Sequence, residues 1–189
     1  MQAHKVIFIG DAGVGKTCIN ARYLQSYFQN EIQPTLVADH RQITLSHNGQ
    51  DVVMNIWDTA GQERYRGVIP LYAKDASLVI LVFDVTDIRS FYSLEEWYTK
   101  IHVEEGNDCP IIVVGNKIDL DQNQIPKEDI EKWTTSHKTK LIYTSARTGE
   151  SINELFEMAA EVLAESKVKK CDNAIQISAN TPPRKTLCC

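Results

Sequence analysis

The chain has 189 residues, 43% of them hydrophobic and 24% charged, which fits one globular domain with a substantial core and a short appendage. A formal net charge of −5 argues against the broad basic footprint of a nucleic-acid-binding protein. The charge is uneven: in residues 167–189 Lys167, Lys169, Lys170, Arg184 and Lys185 face Asp172 alone, giving the tail +4 and the remainder −9. Such a tail either faces anionic lipid, at about 1 kcal/mol per basic residue near the surface, or simply keeps a disordered segment solvated.

Five cysteines, Cys18, Cys109, Cys171, Cys188 and Cys189, form no C-x-x-C and have no accompanying His cluster. Neither a disulfide framework nor a zinc site is expected, and a reducing cytosolic compartment is. The N-terminal residues run straight into Val6-Ile7-Phe8-Ile9 without a signal-peptide pattern, and Gln2 stands where myristoylation needs glycine. The longest apolar run, Leu78 to Phe83, is too short to span a bilayer. Membrane contact is therefore expected from the C-terminus.

In chain order, Lys5–Ile9 reads as a buried strand, followed by a Gly-rich turn and a helix from about Lys16 to Tyr27. Arg41–Ser46 and Val52–Trp57 flank His47-Asn48-Gly49-Gln50, and Asn-Gly between two such runs predicts an antiparallel hairpin. Leu78–Phe83 and Ile111–Val114 are continuous apolar runs, as in parallel strands covered on both faces, and Leu141–Thr144 reads as a last strand. Helices are predicted over about Ser90–Glu105, Lys127–Ser136 and Ser151–Ser166; in the last, Ile152, Leu155, Phe156, Ala159 and Leu163 form one apolar face. Beyond Ser166 the periodicity stops and Pro182-Pro183 follows, so residues 1–166 read as the folded domain and 167–189 as a flexible tail. The alternation predicts an α/β fold: a six-stranded, mostly parallel sheet with one antiparallel edge strand and helices on both faces.

Four motifs carry chemistry. Gly10-Asp11-Ala12-Gly13-Val14-Gly15-Lys16-Thr17 matches G-x-x-x-x-G-K-[ST] between a strand and a helix, the context that motif requires. Its backbone N–H groups and the helix N-terminus suit phosphate; Lys16 supplies charge to the β- and γ-phosphates and Thr17 a hydroxyl for Mg²⁺. Asp58-Thr59-Ala60-Gly61-Gln62 ends the hairpin's second strand. There Asp58 suits a metal, Gly61 admits close backbone approach to phosphate, and Gln62 suits orientation of an attacking water. Asn116-Lys117-Ile118-Asp119 follows a strand at its carboxyl end, where open α/β sheets bind ligands. The Asp119 carboxylate can accept two N–H bonds from guanine, whereas adenine offers no such pair. Sites of that kind discriminate by roughly 10⁴-fold or more. Thr144-Ser145-Ala146 can bring a backbone N–H to the guanine carbonyl.

Together with Pro34-Thr35, these segments in this order resemble the five nucleotide-binding boxes of a Ras-superfamily small GTPase, over roughly residues 4–166. Ile56 through Arg66 and the terminal Cys188-Cys189 are most similar to the Rab family. The resemblance implies a P-loop NTPase fold and a nucleotide site drawn from Asp11, Ala12, Gly13, Val14, Gly15, Lys16, Thr17, Cys18, Phe28, Thr35, Gly61, Asn116, Lys117, Asp119, Ser145, Ala146 and Arg147. Catalysis would fall to Gln62 and Lys16, and Mg²⁺ to Thr17, Thr35 and, through water, Asp58. Phe28 would pack on the guanine, the Lys117 stem would cover its face, and segments around 30–40 and 60–75 would be switch I and switch II. Cys188 and Cys189 would be geranylgeranylated with the help of an escort protein, anchoring the chain to the cytoplasmic face of an endomembrane, with a soluble pool. An exchange factor, a GTPase-activating protein, effectors and a dissociation inhibitor are the implied partners of a monomer.

The sequence departs from the Rab pattern at Leu36-Val37-Ala38-Asp39-His40, at Ala12, whose Cβ near the γ-phosphate would slow hydrolysis, and at Arg147, where Lys is usual. Two other readings follow: a P-loop phosphotransferase, which needs an acceptor site, and a nucleotide-locked Rab-like module that hardly hydrolyses. Trp57 fits core packing and an effector surface equally; Trp97, Trp133, Cys18 and Cys109 read as packing residues.

Overall fold

The computed structural model describes residues 3–25, 38–59, 73–104, 109–121 and 125–179. Six strands, β1 (His4–Ile9), β2 (Ala38–His47), β3 (Gln50–Thr59), β4 (Leu78–Asp84), β5 (Ile111–Asn116) and β6 (Lys140–Thr144), form one sheet in the order β2-β3-β1-β4-β5-β6. Only β2 and β3 pair antiparallel; every other neighbouring pair is parallel. The expected α/β architecture is thus the observed one.

The hairpin owes its register to two residues. Asn48 and Gly49 take φ values of 50° and 75°, the left-handed pair a two-residue turn of this hand requires, and His47 pairs with Gln50. In the parallel core, alternate residues face opposite ways. Val6, Phe8, Leu78, Ile80, Val82, Ile112 and Val114 pack on one side; Ile7, Ile9, Val79, Leu81, Phe83, Ile111 and Val113 pack on the other. All seven residues of β4 are buried, which explains why the strand reads as a continuous apolar run rather than an alternation.

Among the described residues four α-helices cover the two faces: α1 (Lys16–Gln25), α2 (Ile88–Thr99), α3 (Lys127–Ser136) and α4 (Ile152–Ala179). Ile19 of α1 and Ile152, Leu155, Phe156, Ala159 and Leu163 of α4 close one core; Phe91, Leu94 and Trp97 of α2 and Ile130 of α3 close the other. Helix α2 begins before the expected Ser90, because the Asp87 side chain caps it by accepting from the Arg89 N–H. It then widens into a π-helical turn over Lys100–Glu104. Helix α4 runs beyond Ser166, where the apolar face ends, to Ala179. Between Ile152 and Thr181 there is neither Gly nor Pro, so nothing local stops the helix once its first four turns are packed.

Phe156 ties α4 to α1 and β1: it is 1% exposed, stacks on Tyr23 at 3.8 Å between centroids, and lies 6.2 Å from the Phe8 ring. Phe156→Ala should therefore cost about 3–5 kcal/mol of stability, read as a lowered urea midpoint at unchanged slope.

Candidate functional site

The loop from Gly10 to Gly15 joins the carboxyl end of β1 to the start of α1. Gly15 has φ 102°, and a Cβ there would overlap the Asn116 amide, so only glycine lets the loop pass this close. The loop wraps the Lys16 ammonium, whose Nζ donates to the carbonyls of Gly10 at 2.8 Å and Asp11 at 2.7 Å. Two of its three donors are so used, and the third can serve an anion. Burial lowers the pKa of this amine to about 8, against the pull of the Asp58 and Asp11 carboxylates. An anion beside it would favour the charged form, so the loop is poised for negative charge.

At the end of β3, Asp58 is 5% exposed, and its Oδ1 has no hydrogen-bond partner among the described residues. Burial raises its pKa above the ordinary carboxylate value. The Thr17 side chain and the Lys16 charge favour the ionised form, as does Asn20, while Asp39 opposes it. A buried carboxylate oxygen without a donor is costly unless a cation reaches it.

The third part joins β5 to β6. Asn116 Nδ2 donates to the Val14 carbonyl at 2.9 Å, and its Oδ1 accepts from Thr144 Oγ1 at 3.1 Å and the Ala146 N–H at 3.2 Å. Lys117 sits at φ 70° with its Nζ 2.6 Å from Asp84 Oδ2. Asp84 is held in turn by Thr86, whose N–H and hydroxyl both donate to Oδ1. Asp119 accepts from Ser145 Oγ at 2.6 Å, and Arg147 Nη1 is 3.9 Å from its other oxygen. Gly13, Gly15, Cys18, Asn116, Lys117, Asp119, Ala146 and Arg147 line a single cavity of about 370 Å³, within the range of small-molecule sites. Phosphate loop and candidate base-reading carboxylate therefore share one cleft at the carboxyl ends of the parallel strands.

A protein-family model, described as Ras family, matches residues 5–165. The chain belongs to the Ras family. It is therefore a small GTPase switch built to bind guanine nucleotide. Ras-family GTPases generally use Mg²⁺ with GTP or GDP, and the residues present fit that ion. Asp58 offers a buried oxygen with no partner among the described residues, the Thr17 hydroxyl stands beside it, and both are the hard oxygen donors magnesium takes.

Of the residues singled out from the sequence, Gly13, Gly15, Cys18, Asn116, Lys117, Asp119, Ala146 and Arg147 line this cleft, with Ser145 bonded to Asp119, while Thr17 and Asp58 line a second cavity beside α1. Phe28, Thr35, Gly61 and Gln62, with Cys188 and Cys189, lie outside the described residues. Cys18 is half-buried against the α1–α4 core as well as lining the cleft, and burial pushes its thiol up. Trp57 packs on the α2–α3 core, as one of its two readings expected, while only half-buried, with its ring 4.9 Å from that of His40. Trp133 and Cys109 pack as expected.

Sequence reasoning missed two supports. Trp97 is more than a packing residue, because its Nε1 donates to Asp11 Oδ1 at 3.0 Å, tying α2 to the P-loop. Nothing in the sequence marks this pairing of residues 86 positions apart. Asp84, which fixes Lys117, carried a weak signal as a carboxylate ending an apolar strand. Asn116→Ala would delete three hydrogen bonds worth about 0.5–1.5 kcal/mol each. It should weaken GDP binding at least about tenfold, measured with a fluorescent GDP. Trp97→Phe keeps an aromatic ring but removes the donor and part of the buried indole's volume, and should cost at least about 1.5–3 kcal/mol of stability, the range for a bond to a charged group, read by urea unfolding.

Proposed function

We propose that this protein is a Rab-type GTPase: it alternates between GDP and GTP, hydrolyses GTP slowly, and regulates vesicle-mediated transport from the cytoplasmic face of an endomembrane of the Golgi or endosomal system. The observation that carries the nucleotide part is the Asp119 carboxylate, held by Ser145 in the cleft that the P-loop also lines. Guanine presents two adjacent N–H donors to such a carboxylate. Adenine would withhold both of those donors from it. Asn116 retains one amide hydrogen beyond the bond to Val14, which can serve the purine. The Rab assignment rests on Ile56 through Arg66 and on the terminal Cys188-Cys189.

In this reading Lys16 and the P-loop amides hold the phosphates and stabilise charge at the departing group. Gln62 orients the attacking water, and Phe28 packs on the base. Thr17, Thr35 and Asp58 would hold magnesium, which would neutralise phosphate charge when bound. Of the four described arginines, Arg22 is engaged with the Thr148 carbonyl, Arg41 with Asp39 and Arg89 with Asp87, and Arg147 stands at the base-reading end beside Asp119. An arginine supplied by an activating partner would accelerate the reaction. Exchange factor, effectors, dissociation inhibitor and prenylation escort complete the cycle. Two lipid chains with the basic tail meet the two-signal requirement for stable anchoring.

One observation favours a second reading, a nucleotide-locked module. Ala12 is exposed on the P-loop, where a Cβ can crowd the γ-phosphate. Single-turnover hydrolysis of bound GTP separates the two: the switch turns over at or below about 10⁻² s⁻¹ but measurably, the locked module not at all.

Purified protein should prefer GTP to ATP by about 10⁴-fold or more in magnesium, and Asp119→Ala should abolish the preference. Equal binding of the two purines would sink the nucleotide assignment. A Cys188→Ser/Cys189→Ser double variant should move from membranes to the soluble pool; an unchanged distribution would remove the lipid anchor from the proposal.

A further inference from the structure

A buried amide stands beside Asp58 without a hydrogen-bond partner of ordinary geometry among the described residues. Asn20 lies one turn after Thr17 on α1 and is 8% exposed. Among the described residues neither its Nδ2 nor its Oδ1 makes a hydrogen bond of ordinary geometry, and Asp58 Oδ1 is in the same condition. Asn20, Asp58 and Thr17 line one cavity of about 150 Å³, with room for several waters.

Packing does not account for this residue. Its neighbours in the cavity include Ile56, Leu24 and Phe156, and an aliphatic side chain would serve them better. A helix-interior Asn often turns back to bond its own backbone, but here neither amide atom makes such a bond among the described residues. Buried polar groups are nearly always satisfied in native proteins, so this amide points to something held in the cavity. The amide lies near enough to Asp58 to favour its ionised form.

We propose that Asn20 is a positioning residue for Asp58, its N–H reaching the carboxylate through a water in the shared cavity and so fixing which oxygen faces the cation. The amide suits that task because it carries two donors and an acceptor, enough to orient one water completely. Groups of this kind, one step removed from a metal, commonly tune its affinity by about 10- to 100-fold. The proposal rests on the magnesium-dependent nucleotide binding proposed above.

The test follows release of fluorescent GDP from the full chain across a range of free Mg²⁺, with EDTA as the zero point. Asn20→Leu, which fills the same space without polar atoms, should raise the Mg²⁺ concentration for half-maximal slowing by about tenfold and leave the EDTA rate unchanged. Asn20→Ala should do the same, and serves where Asn20→Leu folds poorly. Asn20→Ser, which keeps a donor and an acceptor, should retain most of the response. An unchanged midpoint overturns the proposal. So does a release rate raised equally in EDTA and in magnesium, which marks a packing defect alone. Absence of any magnesium response in the unsubstituted protein would instead fell the nucleotide reading, and this proposal with it.

Discussion

The site depends on one side chain that three loops share. Asn116 donates to the P-loop at Val14 and accepts from Thr144 and Ala146 beyond β6, so the phosphate-binding and base-reading ends of the cleft cannot move independently. It is 1% exposed, and in such surroundings each bond is stronger than in water, while each missing partner is costlier. Gly15 completes the arrangement, since any Cβ there would displace the amide. The spacing between phosphate cradle and Asp119 is therefore set by the protein's own hydrogen bonds.

That clamp works because the sheet delivers its parts to one edge. β1, β3, β5 and β6 end in the P-loop, Asp58, Asn116 and Thr144 respectively, and their parallel direction brings all four ends together. The buried strands supply rigidity, with both faces of β4 covered. Charge is arranged on the same principle. Lys16 is pressed into a setting that disfavours its ammonium unless an anion is near, and Asp58 into one that disfavours its carboxylate unless a cation is near. The site thus holds two opposed charges, each of whose desolvation is relieved by an ion of opposite sign.

The fold was legible where local chemistry decides it. Apolar runs marked β4 and β5, Asn48-Gly49 marked the hairpin, and the glycines of residues 10–15 marked the phosphate loop. Lys127–Ser136 was foreseen to the residue. Legibility failed where distant or weak terms decide. The end of α4 escaped because an apolar stripe reports packing, whereas continuation past Ser166 needs only the absence of a breaker. The bonds Trp97 to Asp11 and Asn116 to Val14 join residues 86 and 102 positions apart, and no pattern in one chain encodes such pairs. The unpaired Asn20 had no outward sign: an asparagine within a helix reads as a solvent-facing position until neighbours bury it.

The indole of Trp97 has an optical corollary. Of the chain's three tryptophans, it alone is nearly inaccessible at 1% exposure, and its N–H ends on a carboxylate of the phosphate loop. Emission from a shielded indole responds to nearby charge. The protein thus carries an intrinsic fluorophore wired to the segment that grips the triphosphate, distinguishable by its blue-shifted band from the half-exposed Trp57.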